Sequence, residues 1–268
     1  MKAIRSIFRL NFLNNLQYRT QALAGIATQF FFGFVFVMVY VAFYESGSTS
    51  KLPMPLDQLV SYWWLNQAFF ALVYMWTKEK DLISMIKNGN VAYELVRPIN
   101  FYFKWYMTML AKRIAKVVLR FAPVVIVAYL LPKPFNLSAP ASLESFLLFL
   151  ISLMLSAFLV VGINMIIHMI TFFTLNEKGV MEIFMSMSEI LAGGIVPLTL
   201  FPTFLYKIAY VFPFRYTCDL PFRIYSGNIP INEAIPDLIG SFIWIIVTIT
   251  IGYLLTRKAL KQAVIQGG

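Results

Sequence analysis

The sequence predicts an all-α polytopic membrane protein in which residues 1–268 form a single transmembrane domain. Three observations predict this class. Six apolar stretches each approach the length of about 20 residues that a helix needs to cross a bilayer. Hydrophobic residues make up 60% of the chain and charged residues only 13%, unlike a soluble domain. The basic residues are concentrated in alternate connections between the stretches.

The six apolar stretches are the predicted spans. In chain order they are Ala22–Tyr44, Leu59–Trp76, Tyr106–Leu131, Phe146–Phe173, Val180–Leu200 and Leu238–Leu255. Thirteen lysines and arginines lie in the segments that share one side with the termini, against five in the other connections. By the positive-inside rule, both termini are predicted to lie in the cytoplasm.

The segments outside the spans carry patterns of their own. Residues 1–20 are predicted to form an amphipathic interfacial helix, because apolar side chains recur every fourth position and basic ones lie on other faces. The apolar positions are Ile4, Phe8, Phe12 and Leu16. Residues 78–103 mix charges with apolar positions, which predicts short cytoplasmic helices ended by Gly89 and Pro98.

Span five is predicted to end in an unusual way. Gly193, Gly194 and Pro197 break the helix, yet the chain stays apolar and residues 201–237 contain five prolines. Non-helical backbone at membrane depth is tolerated only where protein or a wet cavity covers it. We therefore expect residues 201–237 to form re-entrant short helices in the outer leaflet.

Several charged residues fall inside the predicted spans, where each needs a partner or water. The candidates for intramembrane ion pairs are Arg113, Lys116, Arg120, Glu182 and Glu189. Lys112 and Lys116 share one face of span three with Arg120. A rise of about 1.5 Å per residue puts Arg120 and Glu189 at a similar depth, which predicts a pair between them. The pair is either structural or part of a polar route.

Other polar residues in the spans fit two interpretations. Gln29, Asn66 and Gln67 either line a translocation path together with Glu189 or make hydrogen bonds between helices. His168 follows Asn164 by one helical turn, which favours a contact with a neighbouring element over a metal site.

The chain lacks the motifs of the common enzymes. It contains no phosphate-binding loop of the form GxxxxGK[ST], no HExxH and no GxSxG. The single cysteine, Cys218, cannot form an intrachain disulfide. We therefore expect no catalytic residue, cofactor or metal on this chain. The positions of its basic residues indicate a membrane protein and not a nucleic-acid partner.

Two segments resemble the type-2 ABC transporter permeases. The first is the run IKNGNVAYELVRPI at 86–99. The second combines GIVPLTLFP at 194–202 with FPFR at 212–215 and PFRIYSG at 221–227. The resemblance is greatest to a bacterial subgroup whose permease genes travel in pairs beside an ATPase gene, and it extends over the whole chain.

The resemblance implies a role for each segment. Leu82–Pro98 would be a coupling element that docks on a separate ATPase, with a smaller contact from the second cytoplasmic loop. The implied ATPase-coupling residues are Ile86, Lys87, Gly89, Glu94, Arg97, Pro98, Glu177 and Lys178. An outer gate would contain Pro197, Pro202, Pro213, Phe214 and Pro221. Spans one, two and five would wall the translocation path.

The implied protein is the permease subunit of an ABC exporter in a bacterial cytoplasmic membrane. Its partners would be two ATPase subunits that carry ATP and Mg, a second and preferably different permease subunit, and membrane lipids. The cargo would be amphipathic or hydrophobic. The alternatives are an ion-coupled secondary transporter or channel that uses Glu189 and Arg120, an intramembrane enzyme built on His168, and a structural scaffold. Co-purification of an ATPase distinguishes the first reading from the others.

Overall fold

A computed structural model describes residues 2–46, 53–75, 78–174 and 177–262, and these ranges contain helices and no strand. The α-helices are α1 Lys2–Leu16, α2 Arg19–Glu45, α3 Leu56–Ala68, α4 Phe70–Val73, α5 Lys80–Lys87, α6 Val91–Leu95, α7 Phe101–Leu130, α8 Leu143–Thr174, α9 Glu177–Leu191, α10 Thr203–Val211, α11 Asp219–Tyr225 and α12 Ile231–Gln262. Short 3₁₀ helices cover Leu198–Leu200 and Pro213–Tyr216. The all-α class is confirmed.

Within the described ranges, three helices are long and apolar enough to cross a membrane: α2, α8 and α12. α8 lies at the centre of the bundle and packs along α12. Gly162 of α8 permits this close approach, because a Cβ at that position would lie 2.6 Å from Oγ1 of Thr248. The other predicted spans differ from a continuous apolar helix, so the count of six stays a prediction.

Predicted spans two, three and five each differ from a continuous apolar helix in their own way. Span three is the 30-residue helix α7, which is long enough but carries several charges. Span two is divided at Phe69 into α3 and α4. Span five is α9, whose 15 residues reach only about 22 Å at 1.5 Å per residue. The predicted end of span two at Trp76 and residues 175–176 lie outside the described ranges.

The N-terminal helix α1 packs along α7. Its half-buried positions include the four of the predicted apolar face. Asn11 also contacts α7, since its Nδ2 lies 3.5 Å from Oγ1 of Thr108. The amphipathic face therefore covers protein, while Arg5 and Arg9 remain exposed.

The segment after α9 forms short helices that begin beside prolines. Thr203 follows Pro202, and Pro213 starts a 3₁₀ turn. The last part of the predicted segment 201–237 does not form a separate short helix. It belongs to the long helix α12, which already begins at Ile231. The Pro230 carbonyl accepts hydrogen bonds from the first turn of α12, and Pro236 lies inside the helix.

Candidate functional site

A cavity of about 490 Å³ lies between α2, α3, α4, α7 and the end of α9. Three of the predicted path residues, Gln29, Gln67 and Glu189, line it. Asn66 does not: it is buried behind the wall, where its Nδ2 donates to the Gly194 carbonyl at 3.2 Å. One side of the cavity is aromatic, with Phe32, Phe36, Trp63, Phe70 and Tyr74.

Arg120 and Glu189 both line the cavity, but none of the ion pairs of the described residues joins them, contrary to the prediction. The guanidinium of Arg120 lies across Gly25 of α2, where a Cβ would collide with it. Its Nη2 donates to the Gln21 carbonyl at 3.3 Å. The α2 backbone thus takes part of the hydrogen-bonding capacity that the prediction had assigned to Glu189.

The other predicted intramembrane pairs are also absent from the described residues. Arg113 is 2% exposed and donates to the carbonyls of Ala71 at 3.1 Å and Tyr74 at 2.6 Å. It thereby caps the carboxyl end of α4, where a cation is favourable. Glu182 is exposed and Lys116 half-buried, and neither belongs to an ion pair of the described chain.

Lys112 has a partner that the sequence did not indicate. Its Nζ lies 2.5 Å from Oε2 of Glu79, which immediately precedes α5. The backbone N–H of Glu79 donates to Nε2 of His168 at 3.2 Å, and Nδ1 of His168 lies 2.7 Å from the Asn164 carbonyl. His168 thus contacts a neighbouring element, as its position suggested. These bonds attach the start of the coupling element to α7 and α8.

The break after α9 is held by side chains of span two. Gly193 has φ of 74°, and its carbonyl accepts a hydrogen bond from the Tyr62 hydroxyl at 2.7 Å. The Gly194 carbonyl accepts one from the Tyr74 hydroxyl at the same distance. The interrupted ends of spans two and five therefore meet at the wall of the cavity.

Residues 197–230, between the break and α12, form a packed block that is named the outer block after its predicted side of the membrane. Pro197, Pro213, Phe214 and Pro221 of the predicted gate are buried, whereas Pro202 is exposed. Arg215, which was counted among the basic residues of the connections, is also buried. It is paired with Asp237, and its guanidinium carbon lies 3.5 Å from the centre of the Tyr210 ring.

A second buried pair lies close by in the same block. Nη1 of Arg223 is 3.1 Å from Oδ2 of Asp219, whose Oδ1 accepts a hydrogen bond from the Leu198 backbone at 3.0 Å. Position in a long loop gave no signal that these two arginines would be buried. Their carboxylate partners compensate the cost of removing the charges from water.

The predicted coupling element, Leu82–Pro98, contains most of α5, a turn at Gly89 with φ of 69°, and α6. Ile86 is buried, while Lys87, Gly89, Arg97 and Pro98 are exposed. The side chain of Glu94 is 9% exposed and pairs with Lys104, and with Arg97 at 3.4 Å. Its role as a contact with the ATPase stays a prediction.

The exposed surface of α6 has an apolar component that the sequence analysis missed. Tyr93 is 76% and Val96 85% exposed. Both lie inside the resemblance run, but neither was among the implied ATPase-coupling residues. In the second cytoplasmic loop Lys178 is exposed, and the Glu177 side chain lies outside the described residues.

The described residues contain no group of three His, Cys, Asp or Glu side chains that could hold a metal ion. Cys218 is fully buried, with its Sγ 3.4 Å from Nδ2 of Asn66 and 3.8 Å from the Tyr62 hydroxyl. Its position is that of a small side chain in the packing between α3 and the outer block.

The chain matches a known protein family. The model of a family described as "ABC-2 family transporter protein" matches residues 59–267. The match includes the coupling element, most of the cavity wall and the outer block, and begins after α1 and α2. Comparison with curated proteins gives no match.

Proposed function

Since the chain belongs to the ABC-2 transporter family and is a membrane permease, we propose that it is the permease subunit of an ATP-driven exporter. It moves an amphipathic or hydrophobic substrate across a bacterial cytoplasmic membrane by alternating access. The observation that carries this proposal is the cavity of about 490 Å³ at the broken ends of spans two and five.

The lining of the cavity suits an amphipathic cargo. Its aromatic side can hold an apolar chain, and Gln29, Gln67, Arg120 and Glu189 offer polar contacts. Broken helices at such a cavity can change their relative positions more easily than continuous ones, because few backbone hydrogen bonds cross the break. The outer block would then close the extracytoplasmic end of the path.

Energy would enter through the coupling element. The exposed Tyr93 and Val96 form an apolar surface beside the exposed Arg97 and Lys87, which fits docking by a separate ATPase subunit. That subunit would bind ATP and Mg, and it must bind one permease state more tightly than the other to drive the cycle. The Glu79–Lys112 pair gives the motion a direct route into α7.

The assembly proposed has two permease and two ATPase subunits. This chain would cross the membrane six times with both termini in the cytoplasm, and it would supply one wall of the path. We favour a second, different permease as the other wall. A single ion-coupled transporter is the competing function, because Arg120 and Glu189 face the cavity without forming an ion pair.

Co-purification tests the proposal. The chain is expressed with the ATPase encoded beside it, extracted in mild detergent, and assayed for bound ATPase and for ATP hydrolysis. We expect a stable complex that Tyr93→Ala/Val96→Ala weakens by about tenfold or more, since both side chains would lose apolar burial at the contact. Tyr18→Ala removes another exposed aromatic, at 61% exposure, and is the matched control.

Two results contradict the proposal. One is a folded, monodisperse permease that retains no ATPase. The other is ion-driven flux through this chain alone that depends on Glu189, which would favour the secondary transporter.

A further inference from the structure

We propose that the cavity recognises a zwitterionic headgroup, with Arg120 facing its anionic part and Glu189 its cationic part. The substrate class is then a zwitterionic amphiphile. This inference rests on the proposed function, because it names what the permease would carry.

The charges of the lining are the first reason. Among the described lining residues, Arg120 and Glu189 alone are charged, and no ion pair joins them. A charge without compensation is costly at membrane depth. An anionic ligand would leave Glu189 uncompensated, a cationic one would leave Arg120 uncompensated, and an uncharged one would leave both. A ligand with one charge of each sign compensates both residues.

Gln29 is the second and independent reason. Its side chain lines the cavity and is 4% exposed, yet neither its Oε1 nor its Nε2 has a hydrogen-bond partner in the described structure. A buried polar group without a partner costs about 1–3 kcal/mol. Both atoms are covered by protein, so they reach the cavity when the Gln29 side chain rotates. The amide can donate and accept at once, and a headgroup that offers both kinds of atom would then satisfy it.

Arg120 can bind an anion while it keeps its contact with the α2 backbone. Gly25 leaves room for the guanidinium beside the α2 backbone, and one N–H already donates to Gln21. A guanidinium has five N–H donors, and the only hydrogen bond that Arg120 makes within the described residues is the one from Nη2, so Nη1 makes none. Donors therefore remain for a phosphate or carboxylate.

The aromatic side of the cavity serves the remainder of the ligand. Phe36 stacks on Trp63 with ring centres 4.1 Å apart, and Phe70 stacks on Tyr74 at 4.3 Å. These rings offer an apolar wall to an acyl or alkyl chain. They also favour an ammonium group close to Glu189, because a cation is attracted to an aromatic face.

The test compares headgroups on one chain length. The complex with its ATPase is placed in phosphatidylglycerol nanodiscs and titrated, below micelle formation, with dodecylphosphocholine, dodecyl phosphate, dodecyltrimethylammonium and dodecyl maltoside. The readout is the concentration of each probe that half-maximally stimulates ATP hydrolysis. We expect this concentration to be about tenfold lower for dodecylphosphocholine than for the other probes, since it alone compensates both charges.

Substitutions then assign the two ends. In Arg120→Gln we expect the preference to move to dodecyltrimethylammonium, and in Glu189→Gln to dodecyl phosphate. Glu182→Gln, which removes an exposed carboxylate from the same helix, and Lys207→Gln, which removes an exposed cation, should keep the wild-type order. Arg120→Lys keeps the positive charge and should keep the order of the probes. The changed order in Arg120→Gln would then come from the lost charge and not from failure of the variant to assemble.

The source of the headgroup is a separate arm of the experiment. Nanodiscs containing phosphatidylcholine that raise hydrolysis without any added probe identify a bilayer lipid as the ligand. Stimulation by dodecylphosphocholine alone identifies a single-chain amphiphile. Both results support a zwitterionic headgroup.

Failure of the inference is distinct from failure of the proposed function. Equal half-maximal concentrations for the four probes, in a complex that Tyr93→Ala/Val96→Ala still disrupts, overturn the substrate class alone. The same holds if Arg120→Gln and Glu189→Gln both keep the preference for phosphocholine. Absence of any complex with the ATPase overturns the proposed function and, with it, this inference.

Discussion

Lys112 of α7 and Glu79 at the start of α5 form an ion pair with a separation of 2.5 Å, and the Glu79 side chain is only 6% exposed. Thirty-three positions separate the two residues in the chain. The pair connects the residue before α5 to the helix that also carries Arg120. A movement of α5 would therefore act on α7 without passing through a flexible loop.

Removing one member of this pair should loosen the coupling element. In Lys112→Met, the buried Glu79 carboxylate would lose its cation, and loss of one partner of a buried pair costs about 3–5 kcal/mol. We expect a lower thermal unfolding midpoint in detergent. Lys116→Met, on the same helix and outside any ion pair of the described chain, should lower it much less. Equal midpoints for the two variants would argue against a structural role for the pair.

Two glycines with positive φ provide a matched comparison. Gly89 and Gly193 have φ of 69° and 74°, but a Cβ at Gly89 would meet open space, whereas one at Gly193 would lie 2.8 Å from the Tyr62 hydroxyl. We expect Gly89→Ala to cost about 1 kcal/mol from backbone conformation alone. Gly193→Ala should lower the free energy of unfolding clearly more, because the Tyr62 hydroxyl must also shift away from the new Cβ and weaken its hydrogen bond to the Gly193 carbonyl.

Thermal unfolding of the two glycine variants measures the difference. If Gly193→Ala unfolds at the same temperature as Gly89→Ala, the break after α9 is not held tightly by span two. The cavity wall would then be more adaptable than the packing of Tyr62 indicates.

The hydroxyl of Tyr62 should itself contribute to stability. In Tyr62→Phe, the buried Gly193 carbonyl loses a donor, and we expect a loss of about 1–3 kcal/mol. Tyr40→Phe is the control, since its hydroxyl donates to the Ile195 carbonyl at 3.1 Å in a more exposed position. The unfolding midpoints should rank wild type, Tyr40→Phe and Tyr62→Phe from high to low. A lower midpoint for Tyr40→Phe than for Tyr62→Phe would contradict a stabilising hydrogen bond from Tyr62 to Gly193.

Arg215 should not be replaceable by lysine. The guanidinium pairs with Asp237 while stacking on Tyr210, and an ammonium lacks the planar surface for both contacts. We expect Arg215→Lys to increase proteolytic cleavage between residues 201 and 216, because α10 would pack less firmly on the outer block. Lys207→Arg, at an exposed position of α10, should leave the cleavage rate unchanged. Unchanged cleavage in both variants would show that stacking does not hold α10.

Part of the candidate site could be read from local patterns. Glycine and proline signals located the turn at Gly89 and the break at Gly193. Helical rise placed Arg120 and Glu189 at one level, and both do line one cavity. The break at Phe69 was not predicted, because no glycine or proline marks it. The carbonyls that the end of α4 leaves free accept hydrogen bonds from Arg113, which is distant in sequence.

Partner choice was the less predictable part. Arg120 was assigned to Glu189 by depth, yet it donates to the α2 backbone beside Gly25. Glu94 was predicted to contact the ATPase, and in the structure its carboxylate is paired with Lys104. In both cases the competing partner lies on another helix, and nothing in the local pattern distinguishes one partner at the right depth from another.

The sequence by itself determined that this chain is a helical membrane protein, because composition, helical period and turn residues act over a few neighbouring positions. The family came from the resemblance of two motifs and from the family match. The tertiary structure alone decided which charges are paired, which polar groups face the cavity and which surface of α6 is exposed. The physical reason is that a charge or an amide at membrane depth takes whichever partner the packing of other helices brings within reach. Gln29 shows this most directly: its residue type was visible in the chain, but its lack of a partner is a property of the packed helices around it.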